Sequence, residues 1–242
     1  MAPLRENSKQ EVFVEVCRNG ELNAVKYIVE TGSLKFDVDT KNKALLCTCQ
    51  HGHLEILKYL VEKYHLTKED LRTESTDAVH IAASYGHLPI VQYLTEHFQL
   101  TREDALSFGF IPLLYPKHLD IIKYYVEKFQ LTSDDIRVRK NQALRWACSD
   151  GLLDVVQYLV ETFRLNREDI QSADNEAFRM ACVNGHLGVV QYITETFQLT
   201  PVDARAVDNN ALRYAFKKGH TEIVVYLIQR FVYTSEELQF LM

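Results

Sequence analysis

Apolar positions fall along the chain in two alternating spacings. The first is a narrow stripe at i, i+1, i+4 and i+5, as in Ala143, Leu144, Ala147 and Cys148, and it predicts a short helix with small residues on its packed side. The second is broader, at i, i+3, i+4 and i+7, as in Leu152, Val155, Val156, Leu159 and Phe163. It predicts a longer helix buried along one face. Small side chains let the first helix approach its neighbour closely, so the bulkier second helices are expected to form an outer layer.

The alternation is periodic. NQALRWACSDGLLDVVQYLVETF from Asn141 returns 34 residues later as NEAFRMACVNGHLGVVQYITETF from Asn175, and again as NNALRYAFKKGHTEIVVYLIQRF from Asn209. Seven helix pairs are laid out by the turn positions Gly20, Gly52, Gly86, Lys117, Gly151, Gly185 and Gly219. A unit of this size cannot bury a sufficient core by itself, so each must be held by its neighbours. After each long helix a third signal recurs: Thr67 with Asp70, Thr101 with Asp104, Thr132 with Asp135, Asn166 with Asp169 and Thr200 with Asp203. Thr or Asn with an acid three residues on is a capping-box start, and Pro201 stands at a first helical position. A short helical connector is predicted there, with Asn42, Asn141, Asn175 and Asn209 capping the short helix that follows.

No linker divides the chain, so 1–242 reads as one array. Residues 1–32 form an N-terminal capping unit, with Glu15, Arg18 and Asn19 where other units carry apolar or small residues. Inner repeats occupy 33–231, and 232–242 form a C-terminal cap in which Leu238, Phe240 and Leu241 fold back. The unit at 100–130 is irregular, because Pro112 and Pro116 leave room for at most one turn of its short helix.

Composition narrows the function classes. A net charge of -6 argues against general nucleic-acid binding, which rests on clustered Lys and Arg. The N-terminal MAPLRENSKQEVF has charges where a signal peptide needs an apolar core, and no apolar run approaches the ~18 residues of a membrane span. The expected location is the cytoplasm, with the nucleus or a host cytosol as alternatives. Cys17, Cys49, Cys148 and Cys182 share one register and read as small core residues with reduced thiols; the Cys47 and Cys49 pair has no second pair at zinc-ligand spacing.

Candidate chemistry is sparse. His53, His87, His186 and His220 follow the turn glycines, too far apart in a stack to share a metal, and read as turn stabilisers. Catalytic and phosphate-binding motifs are absent from the sequence, which argues against an enzyme and against a bound cofactor. Arg145, Arg179 and Arg213 form a row with two readings: guanidiniums tying repeats through carbonyls or the connector acids Asp135, Asp169 and Asp203, or forks facing an acidic or phosphorylated ligand. Tyr27, Tyr59, Tyr93, Tyr124, Tyr158, Tyr192 and Tyr226 read as packed rings with their hydroxyls at the surface.

The stretch DAVHIAASYGHLPIVQYL, from Asp77 to Leu94, resembles the ankyrin repeat, whose signature runs T-P-L-H-x-A-A-x-x-G-H-L-x-I-V-x-x-L-L. Similar stretches surround Gly52, Gly151, Gly185 and Gly219, with a weaker one at Gly20. The T-P pair is missing, and L-T-x-E-D stands in place of the family's β-hairpin; only Phe36-Asp37-Val38-Asp39 resembles that hairpin. The short helix N-x-A-L-R-x-A-C is also similar to ankyrin-like arrays encoded by amoebae and by the large viruses and bacteria that live in them. The resemblance implies an all-α, ankyrin-like solenoid of about seven helix-turn-helix units with short helical connectors. It further implies a monomeric scaffold for a partner protein, binding neither nucleic acid nor membrane. The variable positions that would line its concave groove include His51, Tyr85, Tyr115, Trp146, Asp150, Asn184, Lys217 and Lys218, and Tyr85, Tyr115, Trp146 and the Lys217-Lys218 pair are the foremost contacts expected.

Overall fold

A computed structural model of the chain describes residues 6–32, 37–71, 77–107 and 117–239. The chain divides into two compact units, Met1–Pro112 and Leu113–Met242, each described here by itself. Among the described residues all regular structure is helical.

In the first unit, α1 (Glu6–Asn19), α3 (Val38–His51) and α5 (Ala78–Ser84) are the short-stripe helices and pack side by side in that order. Their partners α2 (Leu22–Glu30), α4 (Leu54–Tyr64) and α6 (Leu88–His97) each pack on the preceding inner helix, and α2 also packs on α4. Phe13, Cys17, Val25, Ala44, Ile56 and Leu60 make one buried cluster spanning both layers. The connectors are a 3-10 turn at Glu69–Leu71 and α7 (Arg102–Ser107). Phe36 lies outside the described residues, and the hairpin expected at 36–39 gives way to a helix start. The Asp37 carboxylate accepts from the Thr40 N–H at 2.7 Å, so Val38 and Asp39 open α3.

The second unit opens on α8 (Leu119–Phe129). The prolines expected to shorten its inner helix, Pro112 and Pro116, lie outside the described residues, as does Tyr115. Three hairpins follow: α9 (Ser133–Ser149) with α10 (Leu153–Phe163), α11 (Arg167–Asn184) with α12 (Leu187–Thr196), and α14 (Ala206–Lys217) with α15 (Thr221–Phe231). The connector α13 (Pro201–Ala204) precedes the last. Inner helices α9, α11 and α14 pack in sequence, α10 packs on α12, and α12 on α15. Phe178 and Phe231, both fully buried, meet edge to face at 6.0 Å between ring centres.

The connector runs into the inner helix through a left-handed turn. Arg139, Lys140 and Asn141 have φ of 51°, 58° and 55°; Ala173, Asp174 and Asn175 repeat the turn, as do Val207, Asp208 and Asn209. L-residues pay roughly 1–2 kcal/mol each for this region, so the turn needs support. Arg145 provides it: its Nε donates to the Lys140 carbonyl at 2.8 Å and a terminal nitrogen to the Arg139 carbonyl at 3.1 Å. Arg179 does the same to the Asp174 carbonyl at 2.8 Å. The turn also corrects the expectation that asparagines cap the short helices. A residue in the left-handed region cannot hold the extended backbone of a cap. Asn141 instead donates from Nδ2 to the Asp169 carbonyl of the next connector at 3.2 Å, Asn175 to the Asp203 carbonyl at 3.3 Å, and Asn42 lies inside α3.

The C-terminal segment opens on a reciprocal capping pair. The Thr234 N–H donates to the Glu237 carboxylate at 2.8 Å, the Glu237 N–H returns to the Thr234 hydroxyl at 3.2 Å, and Tyr233 is buried. Phe240 and Leu241 lie outside the described residues.

Candidate functional site

The turn glycine and the histidine after it work between hairpins. Gly52 and Gly185 have φ of 81° and 88°, which glycine alone adopts without strain. A Cβ on Gly185 would stand 2.7 Å from the His220 ring of the next hairpin, and one on Gly52 would stand 2.7 Å from that of His87. Each imidazole in turn pairs with a carbonyl at the end of the preceding inner helix: His53 with Arg18 at 2.8 Å, His87 with Gln50 at 2.9 Å and His220 with Val183 at 3.1 Å. The histidines therefore stabilise the turn of the repeat before their own.

At the ends of the inner helices the candidate contact residues fall into a file within each unit. In the first unit, Gln50 Nε2 donates to the Tyr85 hydroxyl at 3.0 Å, and the Tyr85 ring remains 52% exposed. His51 is exposed beside it in sequence, with Nδ1 3.0 Å from the Cys47 carbonyl and its ring stacked on His53 at 6.3 Å. In the second unit, Asn184 Nδ2 donates to the Ser149 carbonyl at 2.9 Å, and Lys218 Nζ donates to Asn184 Oδ1 at 3.3 Å. Ser149, Asn184 and Lys218 thus form one polar line across three hairpins. Trp146 is 38% exposed in the neighbouring register, Asp150 is exposed, and Lys217 Nζ lies 5.8 Å from the centre of the Tyr214 ring.

The arginine row is engaged from within the protein. Besides the carbonyls of the left-handed turn, Arg145 pairs with Glu176 and Arg179 reaches Asn210 Oδ1 at 3.4 Å, both on the following hairpin. Arg213 pairs with Asp208 of its own hairpin.

The connector carboxylates carry a network that sequence reasoning missed beyond their capping role. Asp169 closes its own capping box through the Asn166 N–H at 2.9 Å, and it also takes both Arg137 nitrogens at 2.9 and 3.1 Å from the preceding connector. Asp203 likewise accepts from the Thr200 N–H at 2.7 Å, Arg167 at 2.6 Å and Gln171 at 2.6 Å. Lys68 meets Asp104 at 2.5 Å, and Arg205 pairs with Glu237. The signal was present as a repeated separation: 32 residues for Arg137–Asp169 and Arg205–Glu237, 36 for Lys68–Asp104 and Arg167–Asp203.

Burial alone would push the Asp169 carboxyl up, but the Arg137 guanidinium, the Asn166 N–H and the Asn141 amide together hold it below the usual carboxylate range. Asp203 and Asp104 follow the same balance, burial raising them and hydrogen bonds prevailing. Arg205, followed by the Thr234 N–H, brings Glu237 to about 2.

The tyrosine register also differs from expectation. The Tyr59 and Tyr93 hydroxyls are covered rather than at the surface, and Lys26 and Lys58 of the preceding outer helices lie 5.7 and 5.9 Å from their ring centres. Cys17, Cys49, Cys148 and Cys182 are buried as core residues, and burial pushes the Cys17 thiol up to about 12, away from the reactive thiolate. Among the described residues no group of His, Cys, Asp and Glu is placed to hold a metal ion, and no helix is long and apolar enough to cross a membrane.

A family model described as ankyrin repeats (3 copies) matches residues 13–106. No curated protein matches the chain. The matched stretch holds the hairpins α1–α2, α3–α4 and α5–α6, and the hairpins from α9 to α15 repeat its glycine turn, its inner and outer layers and its buried alanine, and α9 and α11 also its buried cysteine. Residues 13–106 are similar to ankyrin repeats, a fold unit that serves in general as a protein-interaction module, and among the described residues the regular structure is all helical, as in a solenoid of such repeats.

Proposed function

We propose that the chain, read as one array over 1–242, is a non-enzymatic cytoplasmic scaffold that binds a partner protein through the concave face carrying the inner-helix ends. The observation that carries this reading is the exposure of two large amphipathic rings, Tyr85 and Trp146, at registers flanked by ordered polar side chains. Exposed aromatic anchors beside satisfied polar groups are the pattern of binding hot spots. His51, Asp150, Asn184, Lys217 and Lys218 would form the surrounding polar contacts, with Tyr115 as a third anchor.

The reading in which Arg145, Arg179 and Arg213 hold an acidic or phosphorylated ligand stands second, since the first two already support the left-handed turns. The test is to identify a partner by affinity capture and measure its binding by calorimetry to the Tyr85→Ala, Trp146→Ala double variant. At least tenfold weaker binding with an unchanged melting curve is expected, about 1 kcal/mol or more per anchor. Unchanged affinity in a folded double variant refutes this placement. Loss of affinity in Arg145→Gln, Arg179→Gln instead, with the fold retained, would favour the arginine row.

A further inference from the structure

Along each inner helix of the second unit one stripe stays out of the core. Counting by four from the residue after the left-handed turn gives Gln142, Trp146 and Asp150 on α9. The same count gives Glu176, Met180 and Asn184 on α11, and Asn210, Tyr214 and Lys218 at α14. Residues four apart share a helix face, and none of these is buried, whereas Ala143, Leu144, Ala147 and Cys148 on the other side of α9 are. Because α9, α11 and α14 pack in sequence, equal registers form rows across them: an apolar row of Trp146, Met180 and Tyr214, with a polar row on each side.

Charge is distributed unevenly along these rows. Asp150, Asn184 and Lys218 run from acid through amide to ammonium, and Ser149, Val183 and Lys217, one residue back, end on a second lysine. Lys218 Nζ donates to Asn184 Oδ1 at 3.3 Å, and Lys217 Nζ lies 5.8 Å from the Tyr214 ring centre, so both ammonium groups stand beside the apolar row where it crosses from α11 to α14. Arg179 is bonded to the Asp174 carbonyl and to Asn210 Oδ1, both neutral. Among the described residues no carboxylate pairs with Arg179, Lys217 or Lys218, whereas Arg145 and Arg213 are neutralised by Glu176 and Asp208. A chain of net charge -6 thus carries, beside one apolar row, three cations without an acid against them.

The spacing of the rows sets the form of an occupant. Packed helices lie roughly 8–10 Å apart, and an extended chain of the polyproline type advances about 3.1 Å per residue with three residues per turn. Every third side chain of such a segment therefore falls on one side and meets the next inner helix. An extended segment also brings unpaired backbone amide groups, which the polar rows flanking Trp146, Met180 and Tyr214 can bond; a helical segment bonds them internally. A nucleic-acid strand would carry its charge evenly along the row and onto Asp150, so a segment with its acids at one end is the better match.

Resting on the reading of the inner-helix face as the binding face, we infer that the second unit takes an extended acidic segment of the partner protein. Its apolar side chains, at every third residue, lie on Trp146, Met180 and Tyr214. Its carboxylates lie at the α14 end on Lys217 and Lys218, with Arg179 adding attraction.

Fluorescence anisotropy with labelled peptides of one length tests it. The first peptide has leucine at every third position and glutamates at one end; a second replaces the glutamates by lysines, a third replaces the leucines by serines, and an oligothymidylate of similar length is the fourth probe. The glutamate-leucine peptide should bind at least about tenfold more tightly than the other three, and more weakly as salt rises. Tyr214→Ala should weaken it about tenfold. Lys217→Glu with Lys218→Glu should reverse the preference toward the lysine peptide, a change that loss of structure cannot produce. No preference for the acidic peptide, or equal or tighter binding of the oligonucleotide, overturns the inference. So does a captured partner whose binding falls in the Tyr85→Ala, Trp146→Ala variant but is unchanged by the two lysine reversals, and that result leaves the inner-helix face standing as the binding face.

Discussion

At the scale of single residues, the chain uses one position for two purposes. The turn glycine supplies a positive φ and also leaves the space that the next hairpin's imidazole fills. Gly185 and Gly219 separate these roles, since both have positive φ, 88° and 78°, while among the described residues a ring, that of His220, stands against Gly185 and none against Gly219. Gly219→Ala should cost about 1–2 kcal/mol, the strain of an L-residue in the left-handed region. Gly185→Ala should cost roughly 1 kcal/mol more, because the His220 hydrogen bond must shift as well. Urea midpoints of both variants measure the difference, and in a His220→Ala background the excess should vanish. Equal costs in the native background would show that the ring is not held as described.

Elements reveal why the connectors are helical. A capping box needs only Thr or Asn and an acid three residues on, and that local chemistry was legible throughout the chain. The acid's second use was not legible, because its partner comes from the preceding connector. Asp70 and Asp169 show the contrast: Asp70 accepts from the Thr67 N–H at 2.7 Å within its own connector, whereas Asp169 also takes Arg137 and Asn141. Asp70→Asn should therefore cost about 1 kcal/mol, the value of a cap. Asp169→Asn should cost more, roughly 2–3 kcal/mol, since a buried network then loses its charge and has an amide N–H in place of one of two accepting oxygens. Chemical denaturation of the two variants gives the comparison, and equal costs would show that the cross-connector bonds contribute nothing.

For the molecule as a whole, these carboxylates make folding sensitive to acid. Asp104, Asp169, Asp203 and Glu237 are all held below their ordinary values, Glu237 at about 2. The unfolded chain then binds protons before the folded one does, so stability falls as pH falls. Their contribution is complete above the ordinary carboxylate values and is lost from there down to about 2, the value at which Glu237 titrates in the folded protein. Stability measured by urea at a series of pH values should be flat in these groups' contribution near neutrality and decline through that acid window. Tryptophan fluorescence follows the second unit directly, since Trp146 lies in it.

The repeat, its two layers, the glycine turns, the capped connectors and the buried cysteines were all determined by the sequence alone. Each follows from periodicity or from chemistry within a few residues, and neither depends on knowing a neighbour. Only the tertiary structure decided which side chains meet. Asn141 could have capped its own helix and Arg145 could have bound Asp169; a left-handed turn placed the first across the gap and the second over its own carbonyls. Phe216 and Cys182 share a register yet differ in burial, for the physical reason that burial is a property of what packs alongside, which a residue's place in a repeat does not contain.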